Sequence, residues 1–145
     1  MKKIVAGGLI EKDGKFLLVK ENQKICKGKW NIPAGDVDDN ETVIDAAKRE
    51  IFEETGCTAK INGILEIINQ NLENVDLLLF IFDVELVKEK IQSEGEEISD
   101  IGWFSYEEIY NMKNDLRADG YFINTIKNKK ENKISPVELI RIDNN

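Results

Sequence analysis

The chain has 145 residues, enough for one domain with a real hydrophobic core and too few for two comfortable ones. Hydrophobic residues make up 41% and charged residues 33%, an ordinary soluble balance, and no apolar run approaches the roughly 20 residues a membrane-spanning helix needs. A net charge of −8 argues against binding nucleic acid, and two cysteines without CxxC spacing, in a chain with no histidine, argue against zinc sites and histidine-based catalysis.

The opening "MKKIVAGGLIEKDGK" lacks a signal-type apolar segment with a small-residue cleavage site, so the expected location is the cytoplasm, with no membrane partner. There the bland reading of Cys26 and Cys57, as reduced and partly buried thiols, is favoured. "KKIVAGGLI" and "KFLLVKE" read as strands joined at Asp13-Gly14, a strong hairpin signal. "KICKGKWNIPAGDV" reads as a loop closing on a short extended piece. A helix is expected from about Val43 to Thr55, with Thr42 and Asp45 as a T-x-x-D capping box and Gly56 at its C-terminal cap.

"TAKINGILEIINQ" and "VDLLLFIFDVELV" are the next strands, the second so apolar that both its faces must be covered. "EISDIGWFS" reads as another strand, and Ser105 with Glu108 caps a helix over "YEEIYNM". A further helix is expected around "DGYFINTIKNK", and "SPVELIRI" reads as a last strand or an irregular tail. "KNKKENK" reads as a solvated surface, with an anion contact as the lesser alternative. The order of elements predicts an α+β fold, a mixed β-sheet between helices on two sides (an α/β/α sandwich).

From Gly35 to Gly56, "GDVDDNETVIDAAKREIFEETG" holds eight carboxylates in twenty-two residues. Glu50, Glu53 and Glu54 sit three and four apart and are expected to share a helix face, while Val43, Ile44, Ala47 and Ile51 form an apolar stripe that pins the helix to the sheet. Like charges so close repel, more strongly in a cleft than in open solvent. Clustered carboxylates without histidine or thiolate suit a hard divalent cation, Mg²⁺ or Mn²⁺. Taken alone, such a triplet is more often a solvated face than a metal site.

The whole stretch changes that balance. It runs Gly35, five residues, Glu41, seven residues, then Arg49-Glu50-Ile51-Phe52-Glu53-Glu54-Thr55-Gly56-Cys57. This resembles the signature of the Nudix hydrolases, Gx5Ex7REUxEExGU with U a bulky aliphatic residue. Seven fixed positions match, a coincidence on the order of one in a million at average residue frequencies. The departure is Cys57 in the last aliphatic place, where a small hydrophobe packs acceptably. "GKWNIPAG", the opening hairpin and "WFSYEEI" fit as well, so the resemblance covers most of the chain, the C-terminal thirty residues least.

The resemblance implies the Nudix fold over residues 1–145 as a single domain, and hydrolysis of a diphosphate linkage in a nucleotide or nucleoside-diphosphate derivative with Mg²⁺ or Mn²⁺. It implies Glu50, Glu53 and Glu54 as metal ligands, with the Gly35 carbonyl as a further one. Arg49 would orient a box glutamate by a salt bridge, with Glu53 at i+4 in reach. Glu41 would support the loop or reach metal through water, or simply favour the helix N-terminus.

The general base in such enzymes is a box glutamate, here Glu50, or a glutamate on a loop outside the box. Glu94, Glu96 and Glu97 are candidates for the second role, Glu97 first, with Gly95 letting the loop close over substrate. Trp30 and Phe104 could stack on a base, but packing is the favoured role for each. Substrate-binding residues are not identified. The proline associated with ADP-ribose hydrolases is absent near Leu72, and the tyrosine associated with dinucleoside polyphosphate hydrolases is absent near Val75. A non-catalytic nucleotide-sensing domain on the same fold is the alternative, but it commonly loses box glutamates. An isomerase on this scaffold needs histidines that the chain lacks. Homodimers are common among relatives.

Overall fold

The strand most apolar on both faces sets the architecture. In the computed structural model, which describes residues 1–92 and 95–143, that strand is β6, Asp76–Lys88. It lies between β1 (Lys2–Lys12), with which it pairs in parallel, and β5 (Thr58–Asn71), with which it pairs antiparallel. The other edge of β1 takes β4 (Ala34–Asp36) along its first half and β2 (Lys15–Glu21) near its end. β2 continues the sheet to β3 (Trp30–Asn31) and β7 (Ile98–Ser105). Among the described residues this is one mixed sheet of seven strands.

Alternation along the central strands sends side chains into two cores. Leu9, Phe16, Leu18, Leu79 and Ile81 face α2 (Tyr106–Asn111) and α3 (Phe122–Lys130), where Ile109, Phe122 and Ile126 close the packing. Ala6, Ile10, Leu17, Phe82 and Val84 face α1 (Val43–Thr55) on the opposite side. The expected mixed sheet between helices is therefore present, and both faces of β6 are covered as its composition requires.

Local signals explain most boundaries. Asp13 and Gly14 both take positive φ, 53° and 77°, in the two-residue turn joining β1 to β2. Thr42 Oγ1 accepts the Asp45 N–H at 3.0 Å, which is half of the expected capping box. The complete reciprocal box closes at α2, where Ser105 and Glu108 exchange bonds of 2.9 and 3.1 Å. The proline-containing loop contributes two short strands, β3 and β4, where one extended piece was expected.

At the C-terminal end one expectation is corrected, and of the two alternatives for the last segment the structure takes the second. The third helix begins at Phe122 and not near Asp119, because Ala118, Asp119 and Gly120 take left-handed φ of 48°, 56° and 78°. Such a conformation costs a non-glycine residue roughly 1–2 kcal/mol. The segment after Ser135 is an irregular tail: Ser135 exchanges two backbone bonds with Ile64, and a 3-10 turn follows at Val137–Leu139. Val137 and Ile140 then pack on the α1-side core. The lysine-rich stretch is largely solvated, except that Lys129 donates to Asp83 at 2.8 Å and Lys130 lies 3.9 Å from the Tyr106 ring centre. Among the described residues no helix is long and apolar enough to cross a membrane.

Gly56 terminates α1 at φ 76°, its N–H bonding Phe52 O at 2.8 Å, while Gln92 N–H reaches Thr55 O at 2.8 Å. A Cβ at Gly56 would collide with the carbonyls of Lys90 and Gln92. Gly56→Ala is therefore expected to lower stability by at least about 1–2 kcal/mol, the cost of left-handed alanine, with the collision added. Urea unfolding measures it, and an unchanged midpoint would contradict this account of the helix end.

Candidate active site

The packing of α1 decides which carboxylates are buried. Ala46, Ala47 and Ile51 are fully buried against the sheet, with Val43 and Ile44 partly buried beside them. Glu50 and Glu54, one turn apart, fall on the flank of that stripe and are only 9% and 7% exposed. Glu53 does not share their burial; half of its side chain is in solvent. The expected common face thus holds for two of the three glutamates.

Gly35, on β4, lies directly against the Glu50 carboxyl, and a Cβ there would overlap it. Only glycine allows this approach of strand to helix. Burial comes first in pushing the Glu54 carboxyl well above the usual carboxylate range, followed by its hydrogen bond to Glu50 and the Glu50 charge. The nearby charge of Glu21 adds to this, and the Ala34 backbone N–H partly offsets it.

Arg49 ties the preceding loop to the helix. Its Nε and Nη2 donate to Glu41 at 2.7 and 2.9 Å, in a two-pronged pair. Nη2 also reaches Asp36 O at 2.9 Å, and Nη1 reaches Glu50 at 2.8 Å and Glu53 at 3.2 Å. The expected Glu53 contact exists, but Glu41 is the principal partner. Glu41 also accepts the Asp38 N–H at 3.0 Å, a bond within the loop ahead of α1. The Arg49 bond holds the Glu41 carboxyl below its ordinary range.

Apart from Glu41, these groups line one cleft of about 690 Å³. Gly35, Arg49, Glu50, Glu53 and Glu54 lie on its α1 side, and Glu97 reaches it from the residues just ahead of β7. The Glu97 side chain is exposed, while its carbonyl accepts the Asn22 N–H at 2.8 Å and the Glu96 carbonyl accepts the Asn22 side chain at 3.0 Å. That end of the loop is anchored. Glu94 lies outside the described residues, and Glu96 does not line the cleft. Trp30 and Phe104 do not line it either; they pack edge to face at 4.8 Å against the core.

Sequence reasoning missed the opposite wall, built from Glu21, Asn31, Arg117, Ala118 and Tyr121 above an aliphatic floor of Val5, Ile68, Leu77 and Leu79. Glu21 is 9% exposed and accepts Asn31 Nδ2 at 2.7 Å, Cys26 Sγ at 2.6 Å, and Arg117 Nη1. Tyr121 Oη donates to Asn31 Oδ1 at 2.9 Å. Burial, then the Glu21 hydrogen bond, pushes the Cys26 thiol up to about 11, so it remains a protonated donor. Asp119-Gly120 was a visible turn signal, but nothing in residue order brings Arg117 to Glu21.

Two buried carboxyls in contact stay together only if a proton or a cation lies between them. The donors available on this side of the cleft are all oxygen, from Glu50, Glu54 and Gly35, which fits a hard divalent cation better than a soft one. Among the described residues no three histidine, cysteine, aspartate or glutamate side chains are arranged to hold a metal ion. Glu53 is instead bonded to Arg49.

The fold and the box together define a class. The NUDIX domain model matches residues 1–125, and the chain belongs to that family, as a Nudix hydrolase. It is similar to the phosphatase NudJ of Escherichia coli (strain K12), 35% identical over 111 residues that span 73% of this chain and 70% of that one. A NUDIX hydrolase from Nitrosomonas europaea superposes with a TM-score of 0.90 at 25% identity, over 99% of this chain and 98% of that one. A MutT protein from Methanosarcina mazei Go1 gives a TM-score of 0.76 at 30% identity, over 91% and 96%.

Arg49 is the hub of the loop, and its replacement leaves Glu41 and Glu50 without their cation. Arg49→Met is expected to cost about 2 kcal/mol at pH 7, below the range for fully buried pairs because the arginine is partly exposed. Glu41 is held below its unfolded value, so its contribution is complete above the ordinary glutamate pKa of about 4.3 and is lost as the pH falls through the lowered folded value. The difference between wild type and variant should therefore shrink on acidification below about pH 4. Denaturant midpoints at pH 7 and at acid pH measure this, and a pH-independent difference would contradict it.

Proposed function

We propose that the chain is a divalent-cation-dependent pyrophosphohydrolase, cleaving a diphosphate linkage in a nucleotide or nucleoside-diphosphate derivative by attack of water on phosphorus. The observation that carries this reading is the buried Glu50–Glu54 pair against Gly35, at the side of a cleft large enough for a small molecule. Use of a divalent cation is general among Nudix hydrolases, and these oxygen donors fit Mg²⁺ or Mn²⁺. Such an ion, when bound, offsets phosphoryl charge and activates water.

The roles of the chain's own residues follow. Glu50, Glu54 and the Gly35 carbonyl would hold the ion, and Glu53, bonded here to Arg49, would be a further ligand. Arg49 keeps the Gly35–Glu41 loop against α1, so that the Gly35 carbonyl stays in place. Glu97, exposed at the cleft, is the proposed general base, and Glu50 is the alternative. The aliphatic floor of Val5, Ile68, Leu77 and Leu79 supports packing of the substrate's non-phosphate part. The two cysteines, free and buried, agree with a cytoplasmic location.

A panel of canonical and oxidised nucleoside di- and triphosphates, ADP-ribose and sugar nucleotides, assayed with Mg²⁺ and then Mn²⁺, tests the reading. Release of phosphate, pyrophosphate or a nucleoside monophosphate is expected from at least one compound. Glu53→Gln and Glu54→Gln should each lower that turnover by at least about 100-fold while the protein stays folded. Wild-type-like activity in either variant would reject the ligand assignment. Tight binding of a compound that is never cut would favour a nucleotide sensor.

A further inference from the structure

The wall opposite α1 contains an arginine held by one edge only. Arg117 Nη1 donates to Glu21, whose carboxylate is fixed by Cys26 and Asn31. Asn31 is in turn fixed by Tyr121. Burial, and then the Glu21 charge, pushes the Tyr121 hydroxyl above its usual range, so it persists as a donor. No protein acceptor among the described residues takes Arg117 Nε or Nη2, and 40% of the side chain is exposed at the cleft.

The two other cations lining the cleft are committed differently. Every nitrogen of the Arg49 guanidinium bonds to the box or its loop. Lys3 is paired with Asp36 at 3.4 Å near the surface. Arg117 is thus the cleft cation with a planar pair of donors to spare, the geometry that suits two oxygens of one phosphate. It lines the same cleft as Glu50 and Glu54.

The backbone that presents Arg117 is strained. Ala118 and Asp119 are non-glycine residues in the left-handed region, followed by Gly120, and the run lies between two cleft residues, Arg117 and Tyr121. Strain of this kind persists where surrounding contacts over-determine it, and it clusters at ligand clamps. Here the Arg117–Glu21 and Tyr121–Asn31 bonds fasten both ends of the run. Arg117, at the start of this run, lines the cleft.

The geometry points to Arg117 as a substrate-binding residue that grips a phosphate oxyanion of the diphosphate from the wall opposite α1, with Glu21 as its positioning residue. This rests on the diphosphate-cleaving reading and adds a second anchor to it. The diphosphate would then have the Arg117 guanidinium as an anchor besides a cation that Glu50 and Glu54 would hold. The aliphatic floor between them takes the remainder of the substrate. A substrate lacking the second phosphate loses the Arg117 contact and binds weakly.

Methylenediphosphonate, whose P–C–P bridge resists hydrolysis, is a suitable probe for calorimetric titration of the full chain in the presence of Mn²⁺. Arg117→Gln should weaken its binding at least 10-fold, whereas Mn²⁺ titrated alone should bind within 2-fold of wild type. Arg117→Lys, retaining charge without the planar edge, should recover part of the lost affinity. Unchanged methylenediphosphonate affinity in Arg117→Gln would overturn the proposal. The Mn²⁺ titration reports separately on the glutamates, so a failure of the cation reading is seen there and is not confused with a failure of Arg117.

Discussion

Two carboxyl groups buried side by side, with a glycine pressed against one of them, are the constraint around which this molecule is organised. Glu50 and Glu54 could have been kept apart or in solvent at little cost to an amphipathic helix. Instead, the stripe of Ala46, Ala47 and Ile51 that docks α1 on the sheet turns them toward β4, where the absence of a side chain on Gly35 leaves room for the Glu50 carboxyl. Burial makes the repulsion between them worse. A fold that retains such a pair holds a local instability that a cation would relieve.

The surrounding charges keep that arrangement in place. Arg49 takes part in four carboxylate contacts and one carbonyl contact, and so holds the acidic loop that would otherwise repel the acidic helix. Its strongest engagement is with Glu41, which explains why glutamate and arginine stand eight residues apart on either side of the helix start. The opposite wall repeats the device at smaller scale. Arg117 offsets Glu21, and Cys26 and Asn31 complete the carboxylate's hydrogen bonding. Both arginines line the same cleft, together with the aliphatic side chains of Val5, Ile68, Leu77 and Leu79.

Local chemistry made much of this legible in the sequence. Asp13-Gly14, Thr42, Gly56 and Ser105 each act through their own backbone, so hairpin and helix ends could be read directly. The two-sided apolar strand at 76–88 called for helices on both faces, and the box spacing located the glutamates. What stayed hidden depends on contacts between distant residues. Glu53 has the same helical spacing as its neighbours, but its side chain goes to Arg49. The third helix starts late because a left-handed run over Ala118, Asp119 and Gly120 precedes it, and nothing in the residue order shows that the two non-glycine residues take that conformation. Glu21 and Arg117 are 96 residues apart, and only the pairing of β2 with β7 and the path back from α2 bring them together. No periodicity encodes such a meeting.

Anomalous diffraction from crystals soaked in Mn²⁺ tests the central claim most directly. The account requires a manganese peak against the Glu50 and Glu54 carboxylates on the Gly35 side of the cleft. A peak elsewhere, or full soaking with the two carboxyls still hydrogen-bonded to each other and no metal beside them, would contradict it.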